Sequence, residues 1–109
     1  REVPARMNAL LSAYESLHSV TIHDIICFHH DFERIHPFQD GNGRVGRLIA
    51  LKECLRHAIV PFIIKDAKKM FYYRGLSEWE REKGYLTDTC LDGQDTFKKM
   101  MAMFDIFVE

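Results

Sequence analysis

The chain has 109 residues, 47% of them hydrophobic and 28% charged, with a net charge of −1. That length suits one domain over residues 1–109 with a real core, and it is too short for two domains of ordinary size. The near-neutral balance excludes the basic excess of a nucleic-acid binder, so any affinity for phosphate has to be local. No apolar run approaches the length of a membrane span, and the N-terminus does not read as a signal peptide. Cys27, Cys54 and Cys90 are odd in number and form no C-x-x-C pair. This argues for reduced thiols in a cytoplasmic protein, each a small apolar residue, rather than a disulfide frame or a zinc site. The chain opens on Arg1-Glu2-Val3-Pro4 without an initiator Met, as expected of a piece of a longer protein.

Pro4 suits the first turn of a helix. Met7, Leu10, Leu11, Tyr14 and Leu17 follow at helical spacing, so the pattern predicts an amphipathic helix over residues 4 to 18 whose stripe is core. Thr21 reads as the N-cap of the next helix, with Asp24 three residues later in a variant capping box. Ile22, Ile25, Ile26, Phe28, His29, Phe32 and Ile35 give that helix a wide apolar arc, which predicts burial on most sides. Pro37 disfavours helical geometry at the residue before it, so the helix should end near Ile35 or His36.

Residues 36 to 47 read His-Pro-Phe-Gln-Asp-Gly-Asn-Gly-Arg-Val-Gly-Arg. Apolar period resumes at Val45, Leu48, Ile49 and Leu55, predicting a helix from about Gly43 to His57. Gly41-Asn42-Gly43 then sits at a helix N-terminus, where outward N–H groups and the helix dipole favour an anion. Arg44 and Arg47 lie in the first turns, and guanidinium forks match phosphate oxygens. A bare carboxylate at Asp40 would repel phosphate, so the sensible occupant between them is Mg²⁺. Asn42 adds a side-chain donor, and His36 can accept a proton near neutral pH. Phe38 reads as an anchor for the loop. The G-x-G-x-x-G pattern of Gly41 to Gly46 is not a dinucleotide fingerprint, because a helix rather than a strand precedes it. The NTPase phosphate loop also fails, since no Gly-Lys-Ser/Thr follows.

Val60 to Ile64 reads as an extended connector. Asp66 is the expected cap of a further helix carrying Met70, Phe71, Tyr72, Tyr73, Leu76 and Trp79 and stopping at Gly84, with Gly75 marking close packing. A last helix is expected from about Leu86 to Phe104, its Met100, Met101 and Phe104 filling core. The predicted architecture is an all-α bundle with the active-site loop between two central helices. His18, His23, His29, His30 and His57 show no metal-ligand spacing and read as packed or surface histidines.

His36-x-Phe38-x-Asp40-Gly41-Asn42-Gly43-Arg44-x-x-Arg47 resembles the full signature of the Fic family. Phe32-x-x-Ile35 before it and Tyr72-Tyr73 downstream resemble a bacterial Fic domain. The resemblance implies an all-α fold and Mg²⁺-dependent transfer of AMP from ATP to a Tyr, Ser or Thr hydroxyl of a target protein, with loss of pyrophosphate. It makes His36 the base and Asp40 the Mg²⁺ ligand. Gly41, Asn42 and Gly43 become the anion hole, with Arg44 and Arg47 on the outer phosphates and Tyr73 near the nucleotide base. It also implies a target-holding flap upstream and, in many members, an inhibitory helix in cis or an antitoxin in trans; neither pattern occurs in this sequence. Removal of AMP and transfer of UMP, phosphocholine or phosphate are the alternatives within the family. Phosphate-transferring members carry Lys where this chain has Gly43. From another class, the alternative is a silent nucleotide- or antitoxin-binding module, which would not need His36.

Overall fold

The computed structural model describes residues 2–36 and 41–108. Five α-helices occur among them, with no strand: α1 (Val3–Glu15), α2 (Ile22–Ile35), α3 (Asn42–Arg56), α4 (Lys69–Ser77) and α5 (Gly84–Val108). The chain is all-α, as its periodicity requires. It divides into two units, residues 1–59 and 60–109.

In the first unit α2 is the central element, with α1 and α3 packed against it. Its start is fixed by a complete capping box. The Thr21 hydroxyl accepts from the Asp24 N–H at 3.3 Å, and the Asp24 carboxylate accepts from the Thr21 N–H at 2.9 Å. Such a cap contributes roughly 1 kcal/mol. Half of the helix is buried: Ile25, Ile26, Phe28, His29, His30, Phe32 and Ile35. The wide apolar arc is therefore burial on most sides.

Helix α1 departs from its expected role. It stops at Glu15, and no residue in it is buried; Leu11 is exposed, and so is Leu17 beyond its end. Part of what holds it is polar. The Tyr14 hydroxyl donates to Glu53 Oε1 of α3 at 2.8 Å, and its ring lies 4.9 Å from Phe28. Glu53 is itself buried and faces Lys52, Arg56 and His57 at 3.2 to 3.6 Å. Burial pushes the Glu53 carboxyl up, but the Tyr14 and Lys52 hydrogen bonds and the Lys52 and Arg56 charges outweigh it. The net pKa lies below the usual carboxylate value. Burial and the Glu53 hydrogen bond push the Tyr14 phenol above its ordinary range.

In the second unit the connector runs without regular structure and is tied to α5. The Ile63 N–H donates to the Gly93 carbonyl at 3.1 Å, and the Gln94 amide donates to the Val60 carbonyl at 2.7 Å. A Cβ at Gly93 would stand 2.7 Å from the Ile63 carbonyl oxygen, so this contact needs glycine. Asp66 does not cap α4. It lies inside a 3-10 turn, Asp66–Lys68, and pairs with Lys69 at 3.7 Å; α4 begins without a side-chain cap. Helix α4 ends at Ser77 rather than Gly84, because Glu78 takes over as acceptor of turn hydrogen bonds from Arg81 and Glu82. Trp79 is buried just beyond it, whereas Met70 and Phe71 are exposed. Gly75 does mark close packing: an added Cβ would meet the Leu86 backbone at 2.7 Å.

Helix α5 is longer than expected. Its Met100, Met101, Met103 and Phe104 are exposed, so this stripe is not core within the chain. Periodicity identified a face and could not say whether it is covered. Cys54 and Cys90 are buried, as expected of small apolar residues, while Cys27 is exposed.

Candidate active site

Helix α2 ends where the sequence demands. His36 adopts a left-handed conformation, φ 55° and ψ 60°, and its N–H closes the helix on the Phe32 carbonyl at 3.1 Å. Histidine is among the non-glycine residues that tolerate this region. The turn leaves His36 exposed, at the point where the chain leaves α2. Five residues later Gly41, the N-cap of α3, is also left-handed, at φ 76°. No atom lies within 4 Å of where its Cβ would be, so glycine is required by the backbone and not by space. Phe38, the expected anchor, and Asp40, the expected Mg²⁺ ligand, lie outside the described residues.

The first intrahelical bond of α3 runs from the Val45 N–H to the Gly41 carbonyl, 3.0 Å. The amides before it lie at the helix N-terminus, where partial positive charge accumulates. Asn42 is buried, Gly41 and Gly43 are half-buried, and Arg44 is exposed. Arg47 folds back along the helix, its Nη1 only 3.1 Å from where a Gly43 Cβ would stand. The second motif glycine therefore makes room for the second arginine. Arg44 is the exposed cation, and Arg47 is the one seated along the helix.

Packing of α2 on α3 supports this arrangement from beneath. His29 is 1% exposed, and its Nδ1–H donates to the Gly46 carbonyl at 3.3 Å. Burial lowers the His29 pKa to about 4; the Gly46 hydrogen bond opposes this, and the Arg47 and His30 charges add to it. His29 is thus neutral at pH 7 and structural. Next to it the Glu33 carboxylate occupies the space a Cβ of Gly46 would take, with Phe32 Cδ1 alongside at 3.2 Å. Sequence reasoning missed Glu33. The available signal was Gly46, a glycine well inside a helix, which marks a close approach.

The structure places His36, Gly41, Asn42, Gly43, Arg44 and Arg47 at two helix ends joined by four residues. Tyr73 belongs to the second unit, where it is 55% exposed beside the buried Tyr72, at 5.5 Å between ring centroids. Among the described residues no three His, Cys, Asp or Glu side chains converge on a metal position. No described helix is long and apolar enough to cross a membrane.

Chemically, the arrangement offers an exposed imidazole at one helix end and, at the other, amide dipoles with two guanidiniums. That combination suits proton acceptance next to a bound polyanion.

Residues 1–54 match the model of a family described as the Fic/DOC family. Relatives named protein adenylyltransferase Fic, from Drosophila melanogaster and Drosophila sechellia, are 34% identical over 80 residues. The match covers 67% of this chain and 16% of each relative. A probable protein adenylyltransferase of Aquifex aeolicus is 40% identical over 55 residues, covering 50% of this chain and 17% of the relative. The chain thus spans about a sixth of the length of the relatives it matches.

Proposed function

We propose that this chain, which belongs to the Fic/DOC family, transfers AMP from ATP to a hydroxyl side chain of a target protein. One observation carries the reading: an exposed His36 closes α2, and after four intervening residues an anion-favouring N-terminus with Arg47 seated over Gly43 opens α3.

In this reading His36 takes the proton from a target Tyr, Ser or Thr hydroxyl. The oxygen bonds to the α-phosphorus, the bond from that phosphorus to the β-phosphate bridging oxygen breaks, and pyrophosphate carries the released charge. The N-terminal amides of α3, with Asn42, stabilise the charge that builds on the α-phosphate. Arg44 and Arg47 hold the outer phosphates. Positioning and charge stabilisation of this kind supply most of the rate in phosphoryl chemistry.

The donor set fits Mg²⁺ at Asp40, because Mg²⁺ is usually held by one or two carboxylates together with substrate phosphates rather than by a protein cage. When bound, it would neutralise phosphate charge. Tyr73 is the proposed base contact. The target protein is the proposed partner, with an inhibitory helix or antitoxin as a possible regulator, and the cytoplasm is the proposed location.

The test uses ATP labelled on the α- or the γ-phosphate, Mg²⁺ and a mixture of acceptor proteins. Label on protein from the α-position alone supports AMP transfer. Label from the γ-position alone would mean phosphate transfer and would overturn the reading.

A further inference from the structure

Helix α5 carries one apolar stripe with two fates. Leu86, Cys90, Gly93 and Phe97 recur at intervals of three and four, and Met100, Met101 and Phe104 continue the series along the same side of the helix. The first part is covered. Leu86 and Cys90 are fully buried, Gly75 of α4 packs on the Leu86 backbone, and the Gly93 carbonyl accepts the Ile63 N–H. The second part is open: Met100, Met101, Phe104 and the bordering Met103 are 42 to 58% exposed. Length explains the change. A helix of 25 residues is about 37 Å long, and the nine residues of α4 can shield about 14 Å of it. The open part presents roughly 400 Å² of contiguous apolar surface, a size that marks an interaction site rather than scattered surface residues.

Charge selects the occupant. Lys98 and Asp105 are exposed and seven residues apart, so they share one flank of the stripe. A parallel copy of the helix would set Lys98 beside Lys98 and Asp105 beside Asp105. An antiparallel copy, related by a twofold axis near Met101 and Ala102, sets each Lys98 beside Asp105 of the other copy, and does so twice. The apolar residues meet across the same axis. The face is its own complement.

We propose that the C-terminal half of α5 is a self-association surface on which a second copy of this chain packs antiparallel, with Met100, Met101 and Phe104 at the centre and Lys98 paired with Asp105 of the other copy. Nothing in this depends on the AMP-transfer reading. Two such patches bury roughly 800 Å² in total, below the range of permanent interfaces. The dimer is therefore weak, with a Kd on the order of 100 µM.

The experiment is sedimentation velocity on the full chain, from about tenfold below to about tenfold above that concentration. Reducing conditions keep the exposed Cys27 from cross-linking copies. The wild type should show a monomer–dimer equilibrium. Lys98→Asp and Asp105→Lys each bring like charges together at both pairs, and each alone should weaken dimerisation at least about fivefold. An equimolar mixture of the two variants restores opposite charges at both pairs and should dimerise within about threefold of the wild type. Phe104→Ala should abolish the dimer. All three positions are exposed, and helical circular dichroism checks that each variant is folded. A wild type that stays monomeric throughout would leave the stripe to another partner and overturn the proposal. Single reversals that dimerise as well as the wild type, or a mixture that gains nothing over its components, would overturn it too.

Discussion

Each unit of this protein brings two helices together through a glycine, but the two glycines do different things. At Gly75 in α4, an added Cβ would strike the Cα and N of Leu86 at 2.7 and 2.8 Å. Backbone meets backbone, and neither side has anywhere to go. At Gly46 in α3 the obstacle is the end of a glutamate side chain, with an aromatic edge beside it. The first glycine allows close packing; the second makes a berth for a charge. A glycine's role is therefore set by what occupies the space it leaves, and only the second kind of space bears on chemistry.

That contrast is sharpest in stability. Gly75→Ala should destabilise the fold by about 2 kcal/mol, since overpacking against backbone outweighs the roughly 1 kcal/mol gained in helix propensity. Urea unfolding measures it, and a neutral result would break the contrast. Glu33→Gln should act the other way, stabilising the protein by about 1 to 2 kcal/mol at pH 8. The folded pKa of Glu33, about 7, lies above its unfolded value. Ionisation therefore costs stability increasingly as pH rises from about 4.5 to 7, and the gain from Gln should vanish near pH 4.

Tyr14→Phe, which removes the hydroxyl donated to Glu53, should cost about 1 kcal/mol and leave nucleotide affinity unchanged. Gly46→Ala should change stability by less than about 1 kcal/mol, because Glu33 can swing aside and the helix gains from Ala. A large stability loss here would mean that Gly46 resembles Gly75 after all. Acid adds a separate check: the depressed pKa of His29 makes its contribution complete above about pH 6.5 and lost progressively toward pH 4.

Much of the first unit was legible in the sequence. The Thr21–Asp24 cap, the arc from Ile22 to Ile35 and Pro37 set both ends of α2, since each acts through local backbone geometry. The helix start around Gly41 to Gly43 was legible for the same reason, since a helix N-terminus that favours anions is a local fact; the left-handed turn at Gly41 came only with the structure. The second unit was less legible. The end of α4 is decided by turn hydrogen bonds on Glu78, and Trp79 is buried by contacts that periodicity does not encode. The apolar stripe of α5 looked like core because composition does not reveal whether a face is covered. Glu33 escaped notice because its meaning depends on Gly46, thirteen residues away and on another helix. A single helix pattern contains no such relation.

The most direct test of the account measures ATP affinity and AMP transfer side by side in His36→Ala and the wild type. His36 is exposed at the end of α2, while the groups proposed to hold phosphate belong to α3. The account predicts affinity within about twofold of wild type and transfer reduced by at least a hundredfold, the usual loss for a general base. Transfer that survives without the imidazole would contradict it.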